Sequence, residues 1–214
     1  HRDLHSFPTR RCSDLVVNGT ITGIGFGSTT VKVISTHDES IYASITVNVV
    51  NKKITSSVYE IYRFTDEEKN DESLSEIERP INYTVGAEPE TTIEDFIPNF
   101  DNNELTLHIF DKDGNELYDK MIMVGTGMTI KLIINDVVYD ELVIAVKGDL
   151  DGDGIVAMND YASLKNYLLN AIEYDFIHIK ASDFDNNDII AMNDYNSLKN
   201  YLLNDITTLN KPRE

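Results

Sequence analysis

The 214-residue chain reads as a multidomain protein: a β-rich N-terminal part, made of a partial sandwich and a small α+β domain, followed by an all-α C-terminal module of two loop–helix repeats. Three observations predict this. β-Branched residues alternate with polar ones between Thr29 and Val49, the period-two signature of half-buried strands. Turn dipeptides then divide residues 54–146 into short strands around one capped helical segment. Finally, a 22-residue stretch that begins at Asp149 returns 34 residues later at Asp183.

Composition narrows the function classes before any motif is read. Acidic side chains outnumber basic ones 37 to 18, for a formal charge of −19. Such a surface lacks the cations that grip phosphates or anionic lipid, so neither nucleic-acid binding nor membrane insertion is expected. Acidity points to cations or basic partners instead. Cys12 is the single cysteine and has no partner for a disulfide within the chain.

Residues 1–15 show no apolar period and no signal-peptide core. Read back into codons, the segment resembles the in-frame translation of a common sequencing adapter, which has serine at position 12 and agrees elsewhere. A genuine basic tail is the alternative. The adapter reading sets 1–15 aside as a non-native tail, removes Cys12 from any redox argument, and makes the chain a piece of a longer protein whose own sequence starts near Val16.

From 16 to 53 the text is strand-like. Asn18-Gly19 is a turn dipeptide, Gly23, Gly25 and Gly27 punctuate the residues after it, and residues 29–35 are β-branched. After the polar turn 37–40, Ile41, Ala43, Ile45, Val47 and Val49 share one face of a strand and Tyr42, Ser44, Thr46 and Asn48 the other, so burial of one face is expected. The run from Gly19 to Val31 and the ending Val47-Asn48-Val49 resemble the C-terminal half of a bacterial immunoglobulin-like repeat of the Big2 type. That resemblance implies a sandwich with one sheet missing, and therefore exposed apolar surface.

Residues 54–146 predict a small α+β domain. Residues 57–62 fit a strand, and 65–78 are polar and acidic enough for a solvated loop. Thr91 or Thr92 caps a short helix carrying Glu94 and Asp95 in its first turn. Residues 105–110 and 116–124 make a hairpin across Asp113-Gly114, and 128–134 and 137–146 another across Asn135-Asp136.

The repeat, in residues 147–210, carries the chemistry, and 211–214 form a tail. A hard dication takes six to eight oxygens, which a tight turn supplies from its first, third, fifth, seventh and twelfth places. In the first copy these are Asp149, Asp151, Asp153, the carbonyl of Ile155, and Asp160, with Gly154 at the sharp turn and Ala157 where a water usually intervenes. In the second they are Asp183, Asp185, Asn187, the carbonyl of Ile189, and Asp194. Two calcium ions are expected. Asp188 replaces the turn glycine, and a left-handed conformation costs a non-glycine residue about 1 kcal/mol, so loop 183–194 should bind more weakly than loop 149–160. The run Asp111-Lys112-Asp113-Gly114-Asn115 lacks the downstream carboxylate in register and reads as a hairpin turn.

Each loop leads into a helix with one apolar stripe: Leu164, Tyr167 and Leu168, then Leu198, Tyr201 and Leu202. The residues before loop one read as a strand, so each copy is half an EF-hand, with a connecting helix around 171–179.

Over roughly residues 147–209 this text resembles a type I dockerin, on the duplicated loop–helix motif, aspartate at the twelfth place, and the helix text Leu-Lys-Asn-Tyr-Leu-Leu. The resemblance implies calcium-dependent folding and docking to a cohesin on a scaffoldin or cell-surface protein, in an extracellular, cellulosome-like system. It places partner recognition at Met158, Asn159, Lys165 and Asn166, and again at Met192, Asn193, Lys199 and Asn200. Because the two sets are identical, either helix could present the same surface, in two orientations. Core packing is the alternative for the methionines. The Met-Asn pairs depart from the hydroxyl pairs common in the family, which leaves the cohesin unspecified.

Three further readings compete. Catalysis within this chain finds no G-x-S-x-G, no histidine metal spacing and no phosphate-cradling loop, although the resemblance allows a parent glycoside hydrolase with its catalytic domain upstream. A spacer and anchor of a surface adhesin is the rival for the whole protein. A calcium sensor is disfavoured because sensor EF-hands work through paired helices, and no helix enters loop one.

Overall fold

A computed structural model of the chain describes residues 14–17, 20–23, 27–34, 37–38, 40–49, 51–102, 104–204 and 207–210. Adapter-like residues 1–13, the Asn18-Gly19 turn and the tail 211–214 lie outside them. The chain splits into two compact units, 1–52 and 53–214.

In the first unit, β1 (Asp14–Val17) pairs with β2 (Thr20–Gly23), and β3 (Gly27–Ile34) pairs with β4 (Tyr42–Val49) along its whole length, Gly27 facing Val49 and Ile34 facing Tyr42. Each pair is an antiparallel two-stranded sheet. The expected buried face is not found on β4: Ala43 and Ile45 are exposed, as is Ile41 beside them, and Tyr42 is exposed on the other face. A two-stranded sheet has too little area to bury a face by itself.

The second unit is built on a six-stranded sheet in the order β5-β6-β10-β9-β7-β8. Its strands are β5 (Glu60–Tyr62), β6 (Tyr83–Val85), β7 (Leu107–Phe110), β8 (Glu116–Leu117), β9 (Thr129–Ile134) and β10 (Val137–Ala145). Only β6 and β10 run parallel. Asn135 and Asp136 both take left-handed φ values, 52° and 61°, which turns β9 into β10 as their sequence predicts. Strand alternation then gives the sheet two buried faces. Leu107, Ile109, Ile130, Leu132, Leu142 and Ile144 point into one core with Tyr59, Phe96 and Phe100. Tyr83 and Ala145 point into the other, against Leu150, Leu164, Ile177, Ala181, Phe184 and Leu198. The helical repeats therefore cover the second face of the sheet.

Helix α1 (Asp66–Lys69) lies in the segment expected to be a solvated loop. Thr65 and Glu68 form a reciprocal capping box there, and the Ile77 carbonyl accepts from the Phe176 amide at 2.7 Å, which ties the segment down. Helix α2 (Ile93–Phe96) is capped by Thr92 as expected, and buries Ile93 and Phe96. The second strand of the predicted 105–124 hairpin shrinks to Glu116–Leu117. Beyond it, the carbonyls of Lys120 and Ile122 accept from the Glu94 and Ile93 amides, so this stretch satisfies the open N-terminus of α2 rather than extending the sheet.

Helices α3 (Met158–Leu168) and α5 (Met192–Leu202) are the repeated pair, joined through α4 (Phe176–Ser182). The connecting helix starts five residues later than expected because the Asp175 carboxylate, accepting from the His178 amide at 3.0 Å, sets its N-terminus. Asn170 and Asn204, with φ of 55° and 58°, close the two repeat helices in the same way.

Candidate metal centre

The first acidic loop begins where β10 ends. Asp149 is fully buried, and its carboxylate accepts three backbone amides: Gly152 at 2.8 Å on Oδ1, and Gly154 at 3.1 Å and Thr126 at 2.8 Å on Oδ2. Asp153 accepts from the Ile155 amide at 2.8 Å. Asp151 accepts from its own loop and from the side-chain amide of Asn159. Carboxylate oxygens of Asp149, Asp151 and Asp153 all lie within 4.8 Å of one another. Asp160 is buried beside them and links two parts of the loop, since Oδ1 accepts from the Leu150 amide at 2.7 Å and Oδ2 from the Ala157 amide at 2.8 Å. One side chain thus ties the start of the loop to the start of α3.

Loop two repeats this plan. Asp183 accepts from the Asn187 and Asp188 amides at 3.1 and 2.9 Å, and Asp194 from those of Phe184 and Ala191, both at 2.9 Å. Asn187 accepts from the Ile189 amide at 2.8 Å, and Asp185 takes the Asn193 side-chain amide as Asp151 takes that of Asn159. Oxygens of Asp183, Asp185 and Asp194 converge within 4.8 Å. Among the described residues, these two clusters are the groups of three or more acidic, histidine or cysteine side chains able to meet on one ion.

Gathering carboxylates in a partly dry place is unfavourable without a counter-charge. Burial pushes Asp149 up to about 6, although its three amides oppose this, and the nearby Asp160 charge adds to the rise. Burial likewise raises Asp160 and Asp194. The donors are oxygens throughout, with neither thiolate nor imidazole, and such a set fits a hard dication such as calcium rather than zinc. Ile155 and Ile189, whose carbonyls hold the seventh place, are exposed at the exits of their loops.

The loops differ in their turns. Gly152 and Gly154 both have φ of 82°. Their counterparts Asn186 and Asp188 take φ of 57° and 63°, so loop two asks two side-chain-bearing residues to be left-handed where the sequence predicts one. Loop two also has neighbours that the sequence did not reveal. The Lys147 ammonium is buried and donates to the carbonyls of Lys180 and Asp183 and to Asn186 Oδ1, at the end of α4 and the start of the loop. Lys180 pairs with Asp188 at 2.5 Å. A short entering helix, α4, precedes loop two, whereas a strand precedes loop one.

All eight residues expected to meet a partner are exposed: Met158, Asn159, Lys165 and Asn166 on α3, and Met192, Asn193, Lys199 and Asn200 on α5. The methionines are 66% and 58% exposed, which removes core packing as their explanation. Leu164 and Leu198 turn inward, and Tyr161 and Tyr195 stack between the copies with ring centroids 4.2 Å apart. No helix among the described residues is long and apolar enough to cross a membrane.

Residues 147–203 match the family model of the dockerin type I domain. Among solved structures, a chain from the crystal structure of a type I cohesin–dockerin complex of Clostridium thermocellum is 35% identical, with a TM-score of 0.29; the match covers 30% of this chain and 94% of that one. No curated protein matches the sequence. Residues 147–203 are therefore a type I dockerin domain.

Proposed function

We propose that the C-terminal module takes up two calcium ions, one in each acidic loop, and docks through the exposed faces of α3 and α5 to a cohesin on a scaffoldin or cell-surface protein. Dockerin modules bind cohesins in a calcium-dependent manner and are themselves non-catalytic, which is the ground for the partner. The ligands on this reading are Asp149, Asp151, Asp153, the Ile155 carbonyl and Asp160 for the first ion, and Asp183, Asp185, Asn187, the Ile189 carbonyl and Asp194 for the second. The first ion binds more tightly. Docking rests on Met158, Asn159, Lys165 and Asn166 or on their counterparts Met192, Asn193, Lys199 and Asn200, in either of two orientations.

Calcium, when bound, neutralises the clustered carboxylates. The chain does the rest. Asp160 and Asp194 each bridge the start of a loop to the start of the following helix, so a loop that is held in shape also fixes where its helix begins. Leu164 and Leu198 are buried and Tyr167, Tyr201 and Leu202 are partly buried against the same core, which leaves the Met, Lys and Asn positions facing outward. An acidic cluster in each loop, followed each time by a helix that exposes the same Met, Asn and Lys positions, is the observation that carries the reading.

In the intact protein this module anchors an extracellular polysaccharide-degrading component of a cellulosome-like system, whose catalytic part is of the glycoside hydrolase kind. The fully paired β3–β4 hairpin supports reading residues 16–53 as part of a Big2-type repeat that acts as a spacer.

Calorimetric titration of the full chain with type I cohesins, in calcium and in excess chelator, tests the docking function. Binding is expected in calcium and should vanish in chelator. Equal cohesin affinity and an unchanged helical circular dichroism signal in chelator would overturn it.

A further inference from the structure

We infer that the β-sheet domain is a working part of the first calcium site: the backbone of residues 123–126 forms its outer wall and sets the ion affinity of loop one but not of loop two. This rests on the calcium reading of the loops and goes beyond it, because the wall lies outside the matched residues 147–203.

Three observations support the inference. First, the Thr126 amide donates to Asp149 Oδ2 at 2.8 Å, so one of the three amides that orient the first carboxylate comes from 23 residues upstream. Thr126 is itself 3% exposed, and its hydroxyl bonds both the amide and the carbonyl of Val146, which clamps this wall to the chain entering the loop. Second, the Glu90 amide donates to the Gly154 carbonyl at 2.7 Å, a second bond from the sheet domain to the loop backbone. Third, the approach leaves no room for side chains. A methyl group at Gly125 would collide with the Gly152 carbonyl, and one at Gly154 would lie 2.7 Å from the Met123 Cβ.

The consequence follows from preorganisation. A carboxylate already aimed by fixed amides, on a loop already pressed against a rigid wall, loses less freedom when the ion arrives. Groups that orient a metal ligand typically change affinity about 10- to 100-fold when they are disturbed. At loop two, Asp183 takes its amides from Asn187 and Asp188 of its own loop, so the wall has no lever there. Linkage makes the effect reciprocal, and calcium in loop one stabilises the sheet domain in return.

The test is a two-site calcium titration of the full chain, wild type against Gly125→Ala. One site should weaken about 10-fold or more while the other moves by less than about threefold. Two unchanged affinities overturn the inference, as does equal weakening of both sites in a folded variant. Should Gly125→Ala fail to fold, hydrogen exchange on the wild-type chain decides. The Thr126 and Glu90 amides should slow as the tighter site fills, and exchange indifferent to calcium overturns the wall. A wild-type chain that takes up no calcium would instead refute the docking function itself, so the two failures are distinguishable.

Discussion

Loop one and loop two carry nearly the same text and are held in the molecule by different means. Loop one turns on two glycines, comes after a strand, and is backed by the sheet domain through Thr126 and Glu90. Loop two turns on Asn186 and Asp188, comes after a helix, and is backed by the Lys147 ammonium. The two loops share their acidic pattern, while the surroundings that position it differ. Two sites alike in sequence therefore need not be alike in affinity, in rigidity, or in their tolerance of mutation.

The comparison breaks most sharply when the turn residues are exchanged. Gly154→Asp gives loop one the residue loop two already has. There it faces a wall as well as a left-handed φ, with its Cβ 2.7 Å from the Met123 Cβ and 2.9 Å from the Val124 carbonyl. Overpacking of this kind costs about 1 to 3 kcal/mol, added to about 1 kcal/mol of backbone strain, so loop one should lose calcium binding in the accessible range. Direct calcium titration reads this, and a variant with wild-type affinity would show that the wall yields.

Lys147→Met is the corresponding attack on loop two. Lys147 is 5% exposed, and three acceptors converge on its ammonium: the carbonyls of Lys180 and Asp183, and Asn186 Oδ1. Removing it strands the buried Asp183 carbonyl, at about 1 to 3 kcal/mol, and two part-buried acceptors at less, so a net destabilisation of about 2 to 4 kcal/mol is expected in thermal or denaturant unfolding. The exposed Lys165→Met serves as control and should stay within about 0.5 kcal/mol. Equal effects from the two lysines would show that the buried ammonium is dispensable.

How much of this was legible in the sequence depends on the range of each interaction. The two acidic clusters were readable because every member lies within twelve residues of the first, and loop register is a local property. The β9–β10 turn and the Thr92 cap were readable for the same reason. The capping box at Thr65 and Glu68 was equally local and was hidden by the polarity of its surroundings, which made the segment look like solvated loop. Thr126 and Lys147 were not legible at all. The first meets Asp149 across 23 residues and the second meets Asp183 across 36, contacts that leave no period or spacing in the text. Nor could the text show that the helical repeats would cover a sheet, because the alternation of Tyr83 and Ala145 has meaning only once β6 and β10 are paired. A fragment starting at 147 would accordingly lose part of its own core, which is why calcium and cohesin titrations call for the full chain.

The gentlest test runs the turn exchange in the other direction. Asp188→Gly should relieve about 1 kcal/mol of left-handed strain at φ 63°, and it gives up the Lys180–Asp188 ion pair, whose aspartate is 63% exposed. An exposed pair is worth about 0 to 1 kcal/mol, so the two terms nearly offset and the strain should win narrowly. Calcium affinity at loop two is expected to rise about two- to fivefold, a shift of at most about 1 kcal/mol, readable by two-site calorimetry. Weaker binding would mean that the ion pair, not the backbone, governs the loop. The reverse exchange at Gly154 is far more costly because a packed wall stands against Gly154 whereas the Asp188 side chain is 63% exposed, and this difference in scale is what the sheet domain contributes.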